Sequence, residues 1–524
     1  MARVLFVNPI VREEDVPRHV PYGIALLAAI AMREGHQVAV YDANAHRVGM
    51  EKLADACRAD DWDVVAIGGL TTTYGYIKRA VRVIKSAAPK SLLIAGGGFL
   101  TSMPAEMMRF LPQIDLGLLG ECFRTWPEVL RMVDERDFDF SRTLGVVYRD
   151  QGEPMLTDAR PVIHDLDELP FPAWDLFPLE EVYFRNSQAL FSEEIYACKR
   201  RIDINASYGC SLICRYCWHL GTTGDMLVEP KANGTNDVVF TYGRNIRYHS
   251  PAYIGGMVSD LRQRYQVDFC TFLDENLMTM DSSSRYTWMS AVCDEWIRSG
   301  LAPDASGKGG VHWAGTSHAS LYRPSVLARM RESGCSHLVY GLESFDPGIL
   351  KRLGKGTTRD NNIRAVHDTL AAGIAPIPNI IIGFPEETFD SVRNTITGLL
   401  ELGIHARPHF ATAYPGSEWY AHYKDSIIEQ YGGSLEAYIA DLGDATKITA
   451  TISENFSSIE LVGLQEIVAS RNLRLLAQAE KNYRHRESPL VRHAPSSNFE
   501  ASKRAGPIEG GKGSRKTIPL VVAA

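Results

Sequence analysis

The chain has 524 residues, 45% hydrophobic and 23% charged, a composition that excludes a fibre or a disordered chain and a length that suggests about three domains. Its 55 basic and 63 acidic residues leave a net charge of -8, which argues against a nonspecific nucleic-acid surface and for small-molecule or protein partners. The longest apolar run, over 23–32, is far short of the roughly 20 residues that span a bilayer, and nine cysteines are an odd number. The expectation is a soluble, cytoplasmic protein with no membrane segment, no disulfide framework and a first segment that is strand rather than leader.

In chain order the pattern predicts a strand over 4–7, helix over 22–34, strand over 37–41, helix over 50–59, strand over 64–67, helix over 76–87 and strand over 92–95. Continuous apolar strands alternating with amphipathic helices predict a Rossmann-like α/β domain over 1–140, its parallel sheet covered on both faces. Ligands of such sheets lie beyond the carboxyl ends of the strands. Here those ends carry Asn8-Pro9, Asp42-Ala43-Asn44, Gly68-Gly69-Leu70-Thr71-Thr72-Thr73, Gly96-Gly97-Gly98 and Gly120-Glu121. Glycines and small polar groups suit the close approach of a large flat ligand. No G-x-G-x-x-G leads into a helix, so a nicotinamide cofactor is not expected.

Residues 141–200 read as a connector whose Leu169-Pro170-Phe171-Pro172-Ala173-Trp174 run packs between domains instead of flexing. From 201 to 425, short buried strands over 202–206, 269–273, 311–315, 337–340, 378–382 and 406–412 alternate with helices, predicting a partial (β/α)6 barrel with its active residues at the strands' carboxyl ends. Residues 426–483 read as a helical C-terminal region, and 484–524, rich in Arg, Ser, Gly and Pro, as a disordered tail.

The first barrel strand runs into Cys210-x3-Cys214-x2-Cys217, preceded by Gly209. Three thiolates on a tight loop cannot complete a cubane cluster, which normally takes four, so one iron stays open, as in catalytic metal sites. A zinc knuckle is the alternative, but its one nearby candidate for a fourth ligand, His219, is too close for the usual spacing.

With Tyr216 before the last cysteine, this motif resembles that of the radical S-adenosylmethionine (SAM) superfamily. The resemblance implies a 4Fe-4S cluster on Cys210, Cys214 and Cys217 whose open iron chelates SAM. It implies further SAM contacts at Tyr216, at Asp274 and Asn276, at Glu343 and Ser344, at Gly383 in Gly383-Phe384-Pro385-Glu386-Glu387-Thr388, and at Ala413 in Ala413-Tyr414-Pro415. The basic loop over 351–356 reads as a solvated turn. His318, a candidate general base, Tyr340 and Trp218 are candidate substrate-facing residues.

Residues 1–140 resemble the cobalamin-binding domain of one large subgroup of these enzymes, in which a similar D-x-L-P-x-P-A-W segment precedes the cluster. Cobalamin contacts are then expected at Asn8, Pro9, Thr71, Thr72, Gly97, Gly98 and Glu121. His46, in a sequence that echoes the D-x-H-x-x-G of cobalt-ligating proteins but follows the second strand, reads as a solvated loop histidine.

The class B radical SAM methyltransferases, which this chain resembles, use one SAM to methylate cobalamin and a second to make a 5'-deoxyadenosyl radical. Methyl transfer to an unactivated carbon or a phosphinate phosphorus of a small molecule, as in natural-product biosynthesis, is the implied function, with an external electron donor such as flavodoxin or ferredoxin. The same cofactors serve radical cyclisations, which the sequence leaves open. A methylthiotransferase would need a second cysteine trio, and Cys57, Cys122 and Cys198 are isolated.

Overall fold

Strand β1 (Arg3–Asn8) is buried on both faces, which is why it is a continuous apolar run and not an alternation. In the computed structural model, which describes residues 1–187, 197–218, 224–230, 236–279, 284–285, 287–484 and 521–522, it pairs in parallel with β2 (Gln37–Asp42) and β3 (Val64–Gly68). Strands β4 (Leu92–Gly96) and β5 (Leu116–Leu118) continue the parallel sheet, giving the order 2-1-3-4-5 with its topological switch point between β1 and β3. Helix Tyr74–Ala87 shows how the sheet is covered: Tyr74, Ile77, Val81 and Ile84 are buried, one apolar stripe at helical spacing.

The hairpin of β6 (Val146–Asp150) and β7 (Glu153–Leu156) extends this sheet antiparallel from β5. The connector expected from 141 therefore begins only after Leu156. Its Trp174 and Tyr183 are each 1% exposed, and they sit in one apolar core with Phe6 and Trp126 of the first domain and Ile204 of the second.

The second sheet is parallel throughout, with six strands in the order β17-β16-β15-β14-β13-β8. Its first strand is β8 (Arg201–Ile204). Next come two elements that periodicity did not reveal: a two-residue ladder of β9 (Ser207–Tyr208) with β12 (Arg247–Tyr248), and within it a hairpin of β10 (Gly224–Pro230) and β11 (Asn236–Arg244), whose Met226, Val228 and Val238 pack on the first domain's core. The sheet resumes with β13 (Phe269–Phe272), β14 (His312–Ser317), β15 (Cys335–Glu343), β16 (Ala375–Ile382) and β17 (His409–Phe410).

Helices Glu418–Gln430, Leu435–Asp441, Ser458–Ala469 and Leu473–Arg484 follow. Of the expected disordered tail, Arg484 and β18 (Val521–Val522), antiparallel to β2, are described; the rest lies outside the described residues. Among the described residues no helix is long and apolar enough to cross a membrane.

Candidate functional site

The cysteine loop leaves the carboxyl end of the first barrel strand, where such folds keep their chemistry. Gly209 turns it: φ is +96°, and a Cβ there would lie 2.8 Å from the Asn245 carbonyl oxygen, so only glycine fits. Cys217 N–H donates to Cys214 O (3.1 Å), Arg215 N–H to Leu353 O (3.1 Å), and Trp419 N–H to Arg215 O (3.1 Å), which stitches the loop to two later segments of the barrel. Cys210 and Cys214 are buried and Cys217 half-buried. Cys210 Sγ faces Thr279 Oγ1 at 3.7 Å. Burial pushes the Cys214 thiol up to about 11, opposed by the nearby Lys355 ammonium. Three soft sulfur donors on one loop beside a cation fit a thiolate-held iron-sulfur cluster. His219, the fourth ligand in the zinc alternative, lies outside the described residues.

Tyr216 extends from this loop to Glu343: its hydroxyl donates to Glu343 Oε1 (2.8 Å), and its ring packs on Trp419, centroids 5.6 Å apart. Lys355 completes the group, forming an ion pair with Glu343 and donating to Tyr216 Oη (3.2 Å). Lys355 is 6% exposed, which corrects the solvated-turn reading of 351–356 at that residue, while Lys351, Arg352, Gly354 and Gly356 are exposed as expected. Its charge is tolerated inside because a carboxylate faces it.

The other expected SAM contacts are spent largely on the chain itself. Asp274, 1% exposed, accepts from Ala206 N–H (3.1 Å) and from the Ser207 hydroxyl, and burial raises its carboxyl to about 6; it pins the entry to the cysteine loop. Asn276 donates to Thr279 Oγ1 (2.9 Å) and accepts from Met278 N–H (3.1 Å). Between them Glu275, raised by burial to about 7, lines the interdomain cavity. Ser344 is turned to the helix layer, its Oγ 2.9 Å from Thr395 Oγ1, so the structure does not bring it to the cysteines. The carbonyl of buried Ala413 accepts from Tyr438 Oη (2.7 Å).

Gly383, at φ +86°, gives its N–H to Glu387 Oε2 (2.7 Å), and Ser391 Oγ donates to Glu387 Oε1 (3.1 Å). Burial lifts Glu387 from 4.5 to about 7, so its ionisation opposes folding. Below pH 4.5 the carboxyl is protonated in both folded and unfolded chains. Between pH 4.5 and 7 the unfolded chain ionises first, and stability is lost as pH rises through the folded value. Urea unfolding is expected to show wild type losing up to about 3 kcal/mol relative to Glu387→Gln across that window, with no further change above pH 8.

The two catalytic candidates fare differently from the cysteines. His318 is buried, with Nδ1 accepting from Ser320 N–H (3.2 Å); burial, then Lys355, lowers it to about 3. It is a neutral wall residue at physiological pH and, so lowered, a weak base. Tyr340 lies on the helix side of β15, its hydroxyl 2.9 Å from Thr369 Oγ1 and its ring edge-on to Tyr322. Trp218 lines a cavity described next.

At the switch point of the first sheet lies a cavity of about 480 Å³. Asn8, Pro9, Gly68, Gly69, Gly96, Gly97, Gly98 and Glu121 line it from the first domain, and Asn205, Tyr208 and Glu275 from the barrel. Two of the glycines are obligatory: a Cβ on Gly97, at φ +90°, would stand 2.7 Å from Gly69 O, and one on Gly68 2.9 Å from Gly96 O. A flat-floored apolar cleft of this kind fits a corrin ring. Space of about 740 Å³ sharing Thr101, Gly120 and Cys122 continues beside it toward the connector and β10.

Thr71 and Thr72 line a different chamber, of about 600 Å³, together with Trp218, Tyr414 and Pro415; it shares Val11, Leu70 and Gly98 with the first cavity. His46 lines neither. Glu121 also ties the domains, accepting from Ile163 N–H (2.9 Å) and pairing with Arg247 (2.8 Å). Lys355, Ser207, Thr279 and Arg247 carried no sequence signal, since what distinguishes them is burial beside residues remote in the chain.

The B12 binding domain family matches residues 10–130 and the radical SAM superfamily residues 204–398. The uncharacterized methyltransferase PH0819 of Pyrococcus horikoshii is 26% identical over 398 residues, which cover 76% of this chain and 77% of that protein. The anaerobic magnesium-protoporphyrin IX monomethyl ester cyclase of Rubrivivax gelatinosus is 22% identical over 402 residues, 75% of this chain and 64% of the cyclase. The fold is similar to that of the radical S-adenosylmethionine methyltransferase TsrM from Kitasatospora setae, solved with cobalamin and a 4Fe-4S cluster, at a TM-score of 0.63 and 15% identity over 82% of this chain and 79% of that one. A B12 binding domain and a radical SAM domain thus stand in one polypeptide, the domain pair of cobalamin-dependent radical SAM enzymes, with cobalamin, SAM and a 4Fe-4S cluster as the cofactors those domains take.

Proposed function

We propose that the protein is a methyltransferase acting on an unactivated carbon, or a phosphinate phosphorus, of a small molecule. One observation carries this reading: the glycine-floored cavity has walls from both domains and shares Val11, Leu70 and Gly98 with a second chamber that reaches the cysteine loop at Trp218. That chamber is where the substrate lies, between the two cofactors. When bound, SAM on the open iron supplies the radical and cobalamin the methyl group. The chain's own part is to hold both and keep water out: Tyr216, Glu343 and Lys355 fix the inner wall of the cysteine loop, Asp274 pins its entry, and His318 adds an uncharged wall.

The cluster takes its electron from an external carrier of the flavodoxin or ferredoxin class. A second reading, radical cyclisation with the same cofactors, is favoured by the likeness to the Rubrivivax cyclase. The two differ in the fate of SAM. Anaerobically reconstituted protein, given SAM, cobalamin and a strong reductant, is expected to release S-adenosylhomocysteine only when cobalamin is present. Release of 5'-deoxyadenosine with no S-adenosylhomocysteine would overturn methyl transfer and leave cyclisation.

A further inference from the structure

We propose that the loop over 11–15 and the turn over 443–447 form a gate on the substrate chamber, closed by the ion pairs Arg12–Asp444 and Lys447–Glu14. This rests on the reading of that chamber as the place of the substrate and adds to it the way in.

The two segments line the same chamber from different parts of the chain. Consecutive residues from Val11 to Asp15 supply one stretch of its wall, and Gly443, Asp444, Thr446 and Lys447 supply another. The first segment belongs to the stretch 9–21, between β1 and the helix Tyr22–Arg33, which holds no helix or strand. A connection of that length without structure of its own is uncommon unless it binds or closes over something. Its far end is fixed to the barrel: His19 Nδ1 lies 2.7 Å from Oδ2 of buried Asp203 on β8, and Arg201 donates to Arg18 O (2.9 Å). Its near end is tied to the first domain, where Val11 N–H donates to Asn44 Oδ1 (3.2 Å) and Arg47 to Glu13 O (3.2 Å). The turn is held from the last barrel strand, since Phe410 N–H donates to Ala445 O (2.7 Å) and the Tyr414 hydroxyl to Gly443 O (3.2 Å).

What joins the two segments to each other is weaker. Arg12 Nε meets Asp444 Oδ2 at 2.8 Å, and Lys447 Nζ meets Glu14 Oε2 at 2.8 Å; among the described residues no other hydrogen bond or ion pair joins them. The side chains of Arg12, Glu14 and Lys447 are 55%, 82% and 60% exposed. Pairs so exposed add little and are screened by salt, so the two segments part without stranding a buried charge. Arg12 has a second carboxylate at hand, Asp15 Oδ2 at 3.8 Å, to which it turns when Asp444 leaves. Behind the pairs, Val11 and Leu70 are 44% and 42% exposed and both line the chamber. Large apolar side chains left bare in a hollow mark a surface that a ligand covers, and a gate that is shut by weak pairs admits that ligand and then excludes water.

Thr72, half-buried in the chamber wall, gives the readout. Thr72→Cys in protein reconstituted with cobalamin and cluster is treated anaerobically with N-ethylmaleimide, an uncharged thiol reagent, and labelling at position 72 is followed by peptide mass spectrometry. Adding Arg12→Gln and Lys447→Gln is expected to speed that labelling about tenfold at low salt, the combined scale of two exposed ion pairs. With both pairs intact, salt at about 1 M, where the screening length falls to about 3 Å, should bring the rate close to the same value. Exchanging the charges of one pair, Glu14→Lys with Lys447→Glu, should keep labelling slow. Phe138→Cys, exposed on the first domain, is the control and should label at one rate in every background. A rate at position 72 that neither salt nor the double variant moves would overturn the gate: if fast, the chamber stands open, and if slow, its entrance lies elsewhere. Methyl transfer is judged separately, by release of S-adenosylhomocysteine, so failure of the gate and failure of the functional reading are distinct results.

Discussion

Cys214→Ala is expected to leave the protein folded but without its four-iron chromophore and without SAM cleavage. The argument is one of ligand count. Three cysteines already leave one iron open, and removing Cys214 leaves two sulfurs on a loop that no other thiol described here approaches. Cys57, Cys122, Cys270, Cys293 and Cys335 are buried in the cores of the two domains, and Cys198 packs against the Phe269 and Ala314 cluster. Cys270→Ala provides the control, because it removes a sulfur that is also fully buried but in β13, so iron per chain should stay at four while stability falls by about 1 kcal/mol or slightly more. Iron and sulfide analysis with electron paramagnetic resonance of the reduced protein decides it. A full cluster in Cys214→Ala would remove the basis of the functional reading.

The second large effect is expected at Arg247, a residue that touches neither cysteine loop nor substrate chamber. Its guanidinium, 5% exposed as a side chain, pairs with Glu121 at 2.8 Å and donates to Ile163 O at 2.7 Å, while Glu121 in turn accepts from Ile163 N–H. First domain, connector and barrel are thus locked at one point, beside the cavity that Glu121 and Tyr208 line, with the guanidinium 5.7 Å from the Tyr208 ring centroid. Arg247→Met strands the Glu121 carboxylate in a largely buried place, which costs about 3–5 kcal/mol. The double variant Arg247→Met/Glu121→Gln should recover a large part of that loss, a coupling that urea unfolding of all four proteins measures. Cobalamin retained through gel filtration should fall in the single variant. Unchanged stability and unchanged cobalamin would show that the domains are held elsewhere.

Much of this arrangement is legible without coordinates, and the reason is local. The apolar runs of β1, β3 and β4 report burial on both faces, and glycines at Gly68, Gly97 and Gly209 report backbone that no side chain permits. The three cysteines are a ligand set because they are close in sequence. What local pattern does not carry is direction. Tyr340 and Ser344 are strand-end residues of the expected type, yet each turns to the helix layer, toward Thr369 and Thr395. Asp274 and Asn276 stand at the expected strand end but spend their polar atoms on the loop they support. The edge hairpin of β6 and β7 was missed because four- and five-residue strands carry too short an alternation to separate from a connector.

By itself, then, the sequence determined the order of the two domains, the parallel sheets and the cysteine trio, all of which follow from spacing and periodicity along the chain. Tertiary structure alone decided which charges are inside. Lys355 sits in a loop of glycines and basic residues that local rules assign to solvent, and it becomes a buried partner of Glu343 only because β15 ends in a strained turn beside the cysteine loop. Likewise the shared cavity exists only where Asn205, Tyr208 and Glu275 of the barrel meet the glycine edge of the first sheet. Glu343 is only 12 positions from Lys355, but what buries the pair, Tyr216 and the cysteine loop, lies 139 positions away at Tyr216, and no local pattern records it.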